Sequence, residues 1–136
     1  MSLHITKSAI DLGIVTTNGD PMLAFYRDTL GLSYAGHNPM PGGNGTMHRM
    51  MCGDTMIKLV VLPETKAQAA PGGIGGATGY RYWTITVGNL SEALTACEAA
   101  GARIVVKERE IAPGVRIGIV ADPDGNWVEL LGLSAG

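Results

Sequence analysis

The chain has 136 residues, of which 46% are hydrophobic and 16% are charged, so it can bury the core of one ordinary domain and is not a disordered tail. Ten basic and twelve acidic residues give a formal net charge of −2, which excludes the basic surface that nucleic acids and anionic membranes require. No apolar stretch reaches membrane-spanning length and the first residues lack the apolar run of a secretory signal, so we expect a cytoplasmic protein with reduced cysteines.

The first half of the chain predicts two strands at its ends with a helix between them. The strands show alternating apolar and mixed side chains, which is the period-two pattern of a sheet. Asp20 followed by Pro21 predicts the N-cap and first turn of the helix, and Gly31 predicts its end. In chain order, the predicted elements are a strand over 10–16, a helix over 21–30, a strand over 32–35 and a hairpin that ends in a strand over 56–62.

The second half repeats this pattern. The positions of Asp11 and Lys58 in the first copy correspond to those of Tyr82 and Glu129 in the second, each 71 residues later. A constant offset over two strands indicates an internal duplication. In chain order, the second copy predicts a strand over 81–87, a helix over 90–100, a strand over 103–107 and a hairpin that ends in a strand over 127–133.

These elements predict an α+β fold built from two βαβββ modules. The first module covers about residues 8–62 and the second about 80–133, within a single domain over 1–136. The segment 63–79 is rich in glycine and predicts a flexible linker. Two such sheets, related by a pseudo-twofold axis, would close into a half-barrel with a cleft.

One face of each predicted sheet has no helix to cover it. A four-stranded sheet with a single helix buries one face, so the side chains of the other face are free to bind a ligand. Aromatic rings with a few converging polar groups are typical of a small-molecule pocket. Period two places on this face Asp11, Met56 and Lys58 in the first module and Tyr82, Trp127 and Glu129 in the second.

The third strand of the first module leaves two alternatives open. His48 and Arg49 are neighbours, so only one of them can point to the ligand face. Arg49 there would add a cation near Lys58 and suit a carboxylate or phenolate ligand, whereas His48 there could assist proton transfer.

Two segments carry a family resemblance. The segments AFYRDTLGL (24–32) and ADPDGNWVELL (121–131) resemble the vicinal oxygen chelate superfamily, which includes glyoxalase I, extradiol dioxygenases and bleomycin-resistance binding proteins. The resemblance implies the two-module fold described above, a small-molecule ligand and a homodimer. It does not imply a particular reaction, because one fold serves many reactions.

The resemblance also marks the positions of a metal site. Metal-dependent members take their ligands from the first and last strands of each copy, typically as histidine, glutamate, histidine and glutamate. This chain has Asp11, Lys58, Tyr82 and Glu129 there. A lysine ammonium has no lone pair and repels a cation, so we expect no metal cofactor. We expect Lys58 instead to bridge Asp11 and Glu129, with Tyr82 completing the hydrogen bonding.

Three functions remain open from the sequence. The first is metal-independent binding of a small aromatic or carbonyl-containing ligand, as in resistance-type sequestration, with Tyr82, Met56 and Trp127 around the ligand. The second is a glyoxalase-like lyase or isomerase, in which Glu129 is the base and Lys58 or Tyr82 stabilises the oxyanion. The third is a metal-dependent lyase or ring-cleaving dioxygenase with Zn, Ni, Fe or Mn. Its ligands would be Asp11, Glu129 and His48.

Overall fold

A computed structural model describes residues 1–134, which divide into two units, one over Met1–Lys66 and a second that begins at Ala67. The predicted domain over 1–136 therefore ends two residues outside the described part. Within residues 1–134, no helix has the length and apolar character needed to cross a membrane.

The first unit is a βαβββ module. Its helix continues from a short α-helical segment into a π-helical segment, where the Leu30 N–H donates to the Phe25 carbonyl five residues back. Gly31, with a φ of 74°, ends the helix as predicted. The elements are β1 Asp11–Thr16, α1 Gly19–Leu23 with the π-helical segment Ala24–Thr29, β2 Ser33–Pro39, β3 Thr46–Cys52 and β4 Thr55–Val61.

The predicted start of this helix was wrong by two residues. The helix begins at Gly19, so Asn18 rather than Asp20 is its N-cap residue. Pro21 lies inside the first turn, where a backbone N–H has no acceptor within the helix, so the missing donor costs nothing there.

The second unit repeats the module and confirms the predicted α+β fold. Its sheet has the order β5-β8-β7-β6, which matches the order β1-β4-β3-β2 of the first sheet, and in both sheets the first and last strands pair in parallel. The elements are β5 Tyr82–Thr86, α2 Leu90–Ala99, β6 Arg103–Ala112, β7 Val115–Ala121 and β8 Trp127–Leu133.

Each unit buries the sheet face that packs toward its own helix, which we call the helix face. In the first unit, Ile57 and Leu59 are fully buried on this face. In the second unit, α2 packs closely on β7 because Gly118 has no side chain. A Cβ at Gly118 would lie 2.5 Å from Leu94 Cδ1, well inside contact distance.

This packing predicts that Gly118→Ala destabilises the protein. Leu94 is only 7% exposed and cannot swing away freely, so the added methyl overpacks the helix face. Such overpacking costs about 1–3 kcal/mol of unfolding free energy, measurable by urea denaturation. Gly88→Ala is the matched control, because a Cβ at Gly88 meets no atom within 4 Å. Equal stability of the two variants would contradict the close packing.

Candidate functional site

The pairing of the first and last strands decides which side chains lie on the face opposite each helix. In the first sheet Gly13 is the partner of Lys58, and in the second sheet Thr84 is the partner of Glu129. Both pairs recur at the 71-residue offset, so the duplication extends to the strand register. We call the face that carries Lys58 the site face of the first unit.

Asp11 lies between two ammonium groups on this site face. Lys7 Nζ is 2.7 Å from Asp11 Oδ1, and Lys58 Nζ is 3.4 Å from Asp11 Oδ2. Lys7, mainly through its hydrogen bond, and then Lys58 hold the pKa of Asp11 below its ordinary value. The expected pairing of Asp11 with Lys58 is present, but Lys7 is an additional partner that no sequence pattern had indicated.

The strand register places Arg49, not His48, on the site face. Arg49 is the direct partner of Lys58, so the two cationic side chains share a face. Arg49 Nε donates a hydrogen bond of 2.9 Å to Asn38 Oδ1, which fixes the guanidinium over the neighbouring strand. The alternative that the sequence left open is therefore settled in favour of Arg49.

His48 lies on the helix face. Its direct partner is Leu59, which is fully buried toward the helix. His48 therefore cannot join Asp11 on the site face, because adjacent residues of a strand point to opposite sides. This placement removes the expected ligand set of Asp11, Glu129 and His48, and with it His48 as a ligand-binding residue of the site face.

Glu129 is held by its strand neighbour in the second unit. Thr84 Oγ1 donates a hydrogen bond of 2.8 Å to Glu129 Oε1, and on the other side Glu129 pairs with the buried Ile119. Tyr82 lies two residues before Thr84 on β5, on the same face of the sheet, and is 50% exposed. Because Lys58 and Glu129 belong to different units, their expected bridge, with Tyr82 beside it, stays a prediction.

Trp127 is partly covered by the segment that the sequence predicted to be a flexible linker. Gly73 is buried against the Trp127 indole, where no Cβ would fit. Arg81 fixes this segment, since its Nε donates to the Gly73 carbonyl at 2.7 Å and its Nη2 to the Ala70 and Pro71 carbonyls at 2.9 and 3.2 Å. Hydrogen bonds thus join Arg81 to the residues around Gly73, which covers part of the Trp127 indole. The flexibility of the segment 63–79 stays a prediction.

The residues at the family's metal-ligand positions do not fit a divalent cation. Lys58 contributes an ammonium group without a lone pair, and its nearest acidic partner, Asp11, is shared with Lys7. Across residues 1–134, no group of three His, Cys, Asp or Glu side chains is arranged to hold a metal ion. The position of Lys58 therefore carries a fixed positive charge with hydrogen-bond donors and no metal-ligating atom.

Comparisons with known proteins agree with the architecture. The model of the Glyoxalase/Bleomycin resistance protein/Dioxygenase superfamily matches residues 3–130. No match to the chain was found among curated proteins.

Several solved structures share this fold. A glyoxalase family protein from Bacillus cereus has a TM-score of 0.83 at 18% identity, with 96% of each chain covered. A lactoylglutathione lyase from Agrobacterium tumefaciens has a TM-score of 0.64 at 24% identity, covering 90% of this chain and 91% of the other. A trypanothione-dependent glyoxalase I from Leishmania major has a TM-score of 0.68 at 21% identity, covering 90% and 84%. At these identities the likeness shows the fold alone.

The contacts of Asp11 predict how its pKa responds to substitution. Lys7→Met should raise the pKa of Asp11 more than Lys58→Met, because the hydrogen bond from Lys7 is the largest cause of the lowered value. A carbon-detected NMR titration of the Asp11 carboxyl group measures both shifts. With a lowered pKa, the pairing stabilises the fold above the ordinary pKa of aspartate and is lost as the pH falls through the folded value. A larger effect of Lys58→Met would contradict this order.

Proposed function

We propose that this chain, which belongs to the Glyoxalase/Bleomycin resistance protein/Dioxygenase superfamily, binds a small aromatic ligand bearing a carboxylate or another carbonyl oxygen, without a metal ion. The observation that carries the proposal is the placement of Lys58 and Arg49 as direct partners on the site face of the first unit. Binding without turnover, as in resistance-type sequestration, needs no further catalytic group.

The charge of the site face supports an anionic or oxygen-rich ligand. Lys7 and Lys58 both contact the carboxylate of Asp11, and Arg49 is the direct strand partner of Lys58. Asp11 thus offsets only part of the positive charge. A carboxylate or a polarised carbonyl oxygen accepts charge-assisted hydrogen bonds from ammonium and guanidinium groups, and these are stronger than neutral ones.

The rest of the site face supports an apolar, flat ligand body. The methionine side chain is flexible and polarisable, so methionines adapt to ligands of irregular shape and make favourable contacts with aromatic rings. The strand register adds an apolar pair on each side of the Arg49–Lys58 pair, Met47 with Val60 and Met51 with Met56. The contribution of Tyr82 and Trp127 from the second unit stays a prediction.

Gly13 leaves room for the ligand beside Lys58. A Cβ at Gly13 would meet no atom within 4 Å, although the residue is the direct strand partner of Lys58. The equivalent residue of the second sheet, Thr84, fills this position and donates to Glu129. The open position therefore lies next to a cation in the first unit only.

A pair of matched probes tests the proposal. Phenylacetate and phenylacetamide have the same shape but differ in charge, so ¹⁵N-labelled protein treated with a chelator should bind the acid about ten-fold more tightly or better. We expect the chemical shifts of β1, β3 and β4 amides to change. Lys58→Met should remove the preference for the acid, because it removes the ammonium group without shortening the side chain.

Two glycine variants provide the steric control. Gly13→Val should block both probes by filling the space beside Lys58, whereas Gly88→Val, at another open position, should leave binding unchanged. Equal affinity for acid and amide in the wild-type protein, or shifts confined to other elements, would contradict the proposal.

A second candidate function is a lyase or isomerase that moves a proton. The observation in its favour is the hydrogen bond from Thr84, which holds the Glu129 carboxylate in one orientation, as a general base requires. Lys58 or Tyr82 would stabilise the oxyanion in this alternative. A homodimer, which the family resemblance implies, is compatible with both candidates and remains a prediction.

A lactoylglutathione lyase assay separates the two candidates, since one structural neighbour bears that name. If the chain is only a binder, the wild-type protein gives no turnover above the uncatalysed rate, and Glu129→Gln changes nothing. Turnover by the wild-type protein that is lost in Glu129→Gln, with phenylacetate binding retained, would instead establish the enzyme.

A further inference from the structure

The helix face of the first unit carries a cluster of three side chains that the proposed function does not use. The Tyr34 hydroxyl lies 2.8 Å from His48 Nδ1 and 3.3 Å from His37 Nδ1. The two imidazole rings have a centroid separation of 5.9 Å. Two ring nitrogens and one phenol oxygen thus converge on a small volume.

The strand register creates this convergence. His37 on β2 and His48 on β3 are direct partners in an antiparallel pair, an arrangement that brings Cβ atoms to about 4.5–5.5 Å. An irregularity in the pairing between Tyr34 and Gly36 places Tyr34 on the same face, with its ring 5.8 Å from that of His48. All three positions are therefore set by backbone pairing.

We propose that Tyr34, His37 and His48 form a binding site for Zn²⁺. Zinc prefers imidazole nitrogen together with oxygen donors in a tetrahedral arrangement. Bonds of about 2.0–2.1 Å in that geometry place neighbouring donor atoms about 3.3 Å apart. The oxygen–nitrogen distances of 2.8 and 3.3 Å in the cluster are close to this separation.

The local environment suits a bound cation with one open coordination position. Tyr34 and His37 are exposed and His48 is half-buried, so the ion can enter from solvent and a water molecule can complete the coordination. Burial, His37 and Arg27 lower the pKa of His48, and Asp20 opposes this shift. The phenol proton of Tyr34 would pass to bulk water on binding.

Arg27 is a positive charge near the cluster and would repel a bound cation. Its guanidinium lies 5.9 Å from the centre of the Tyr34 ring. However, Arg27 is paired with Asp28, with Nε–Oδ1 and Nη2–Oδ2 distances of 2.9 and 3.1 Å, so much of its charge is offset. Arg27 lowers the affinity of the site for zinc without excluding the ion.

The site is independent of the proposed function. It lies on the opposite face of the sheet from Lys58 and Arg49 and does not involve the family's metal-ligand positions. Loss of zinc binding would therefore leave the proposed ligand binding unaffected, and loss of ligand binding would leave zinc binding unaffected.

Zinc titration of the chelator-treated protein by isothermal calorimetry tests the proposal. We expect one zinc ion per chain, with affinity reduced about ten-fold or more in each of His37→Asn, His48→Asn and Tyr34→Phe. His4→Asn is the matched control, because it removes the remaining histidine, which lies outside the cluster. The affinity of that variant should equal the wild-type value.

Cobalt(II) substitution provides a second measurement that does not depend on stability. The intense visible bands of tetrahedral Co²⁺ should appear in the wild-type protein and be lost in His37→Asn. Because His37 is exposed, its substitution should leave the fold intact, so misfolding would not explain the loss of the bands. Absence of zinc binding, equal loss in His4→Asn, or an unchanged affinity in Tyr34→Phe would overturn the three-residue site.

Discussion

The parallel pairing of the first and last strands of each module places the side chains at the four positions that the family resemblance marks. Gly13 pairs with Lys58 and Thr84 pairs with Glu129, so equivalent positions of the two copies share one register. A shift of one residue would turn Lys58 toward the helix and replace it by a core residue such as Ile57. The buried Ile57 and Leu59 oppose such a shift, since their exposure would cost the hydrophobic stabilisation of the helix face. Core packing thus fixes the register, and the register fixes the charged face.

On that face, the exchange of a metal ligand for lysine changes the chemistry available to the fold. A divalent cation would polarise a bound oxygen, whereas Lys58 and Arg49 offer donors of fixed positive charge. The Lys58–Asp11 pair adds little stability, because the side chains are 39% and 32% exposed and water screens their attraction. We infer that its importance is electrostatic: Asp11 orients the ammonium group while leaving net positive charge for a ligand oxygen.

The sequence predicted the repeated module and the two faces of each sheet because both follow from local periodicity and a constant offset. It could not decide which of His48 and Arg49 faces the ligand, since that depends on how the strand after the glycine-rich loop is aligned in its hairpin.

Lys7 was missed because it approaches Asp11 from an irregular segment. The contacts of Arg81 with Gly73 and its neighbours were also missed, because they join backbone carbonyls, which leave no signature in side-chain patterns. The convergence of His37 with His48 likewise depends on a cross-strand pairing that no local pattern reveals.

The central claim is that the site face binds its ligand without a metal ion at the family's ligand positions. Elemental analysis tests this most directly in a His37→Asn/His48→Asn double variant, which removes the separate zinc site. After incubation with Zn²⁺, Ni²⁺, Fe²⁺ and Mn²⁺ and desalting, we expect the double variant to retain no stoichiometric metal. Retention of one ion per chain that is lost on further substitution of Asp11 or Glu129 would contradict it.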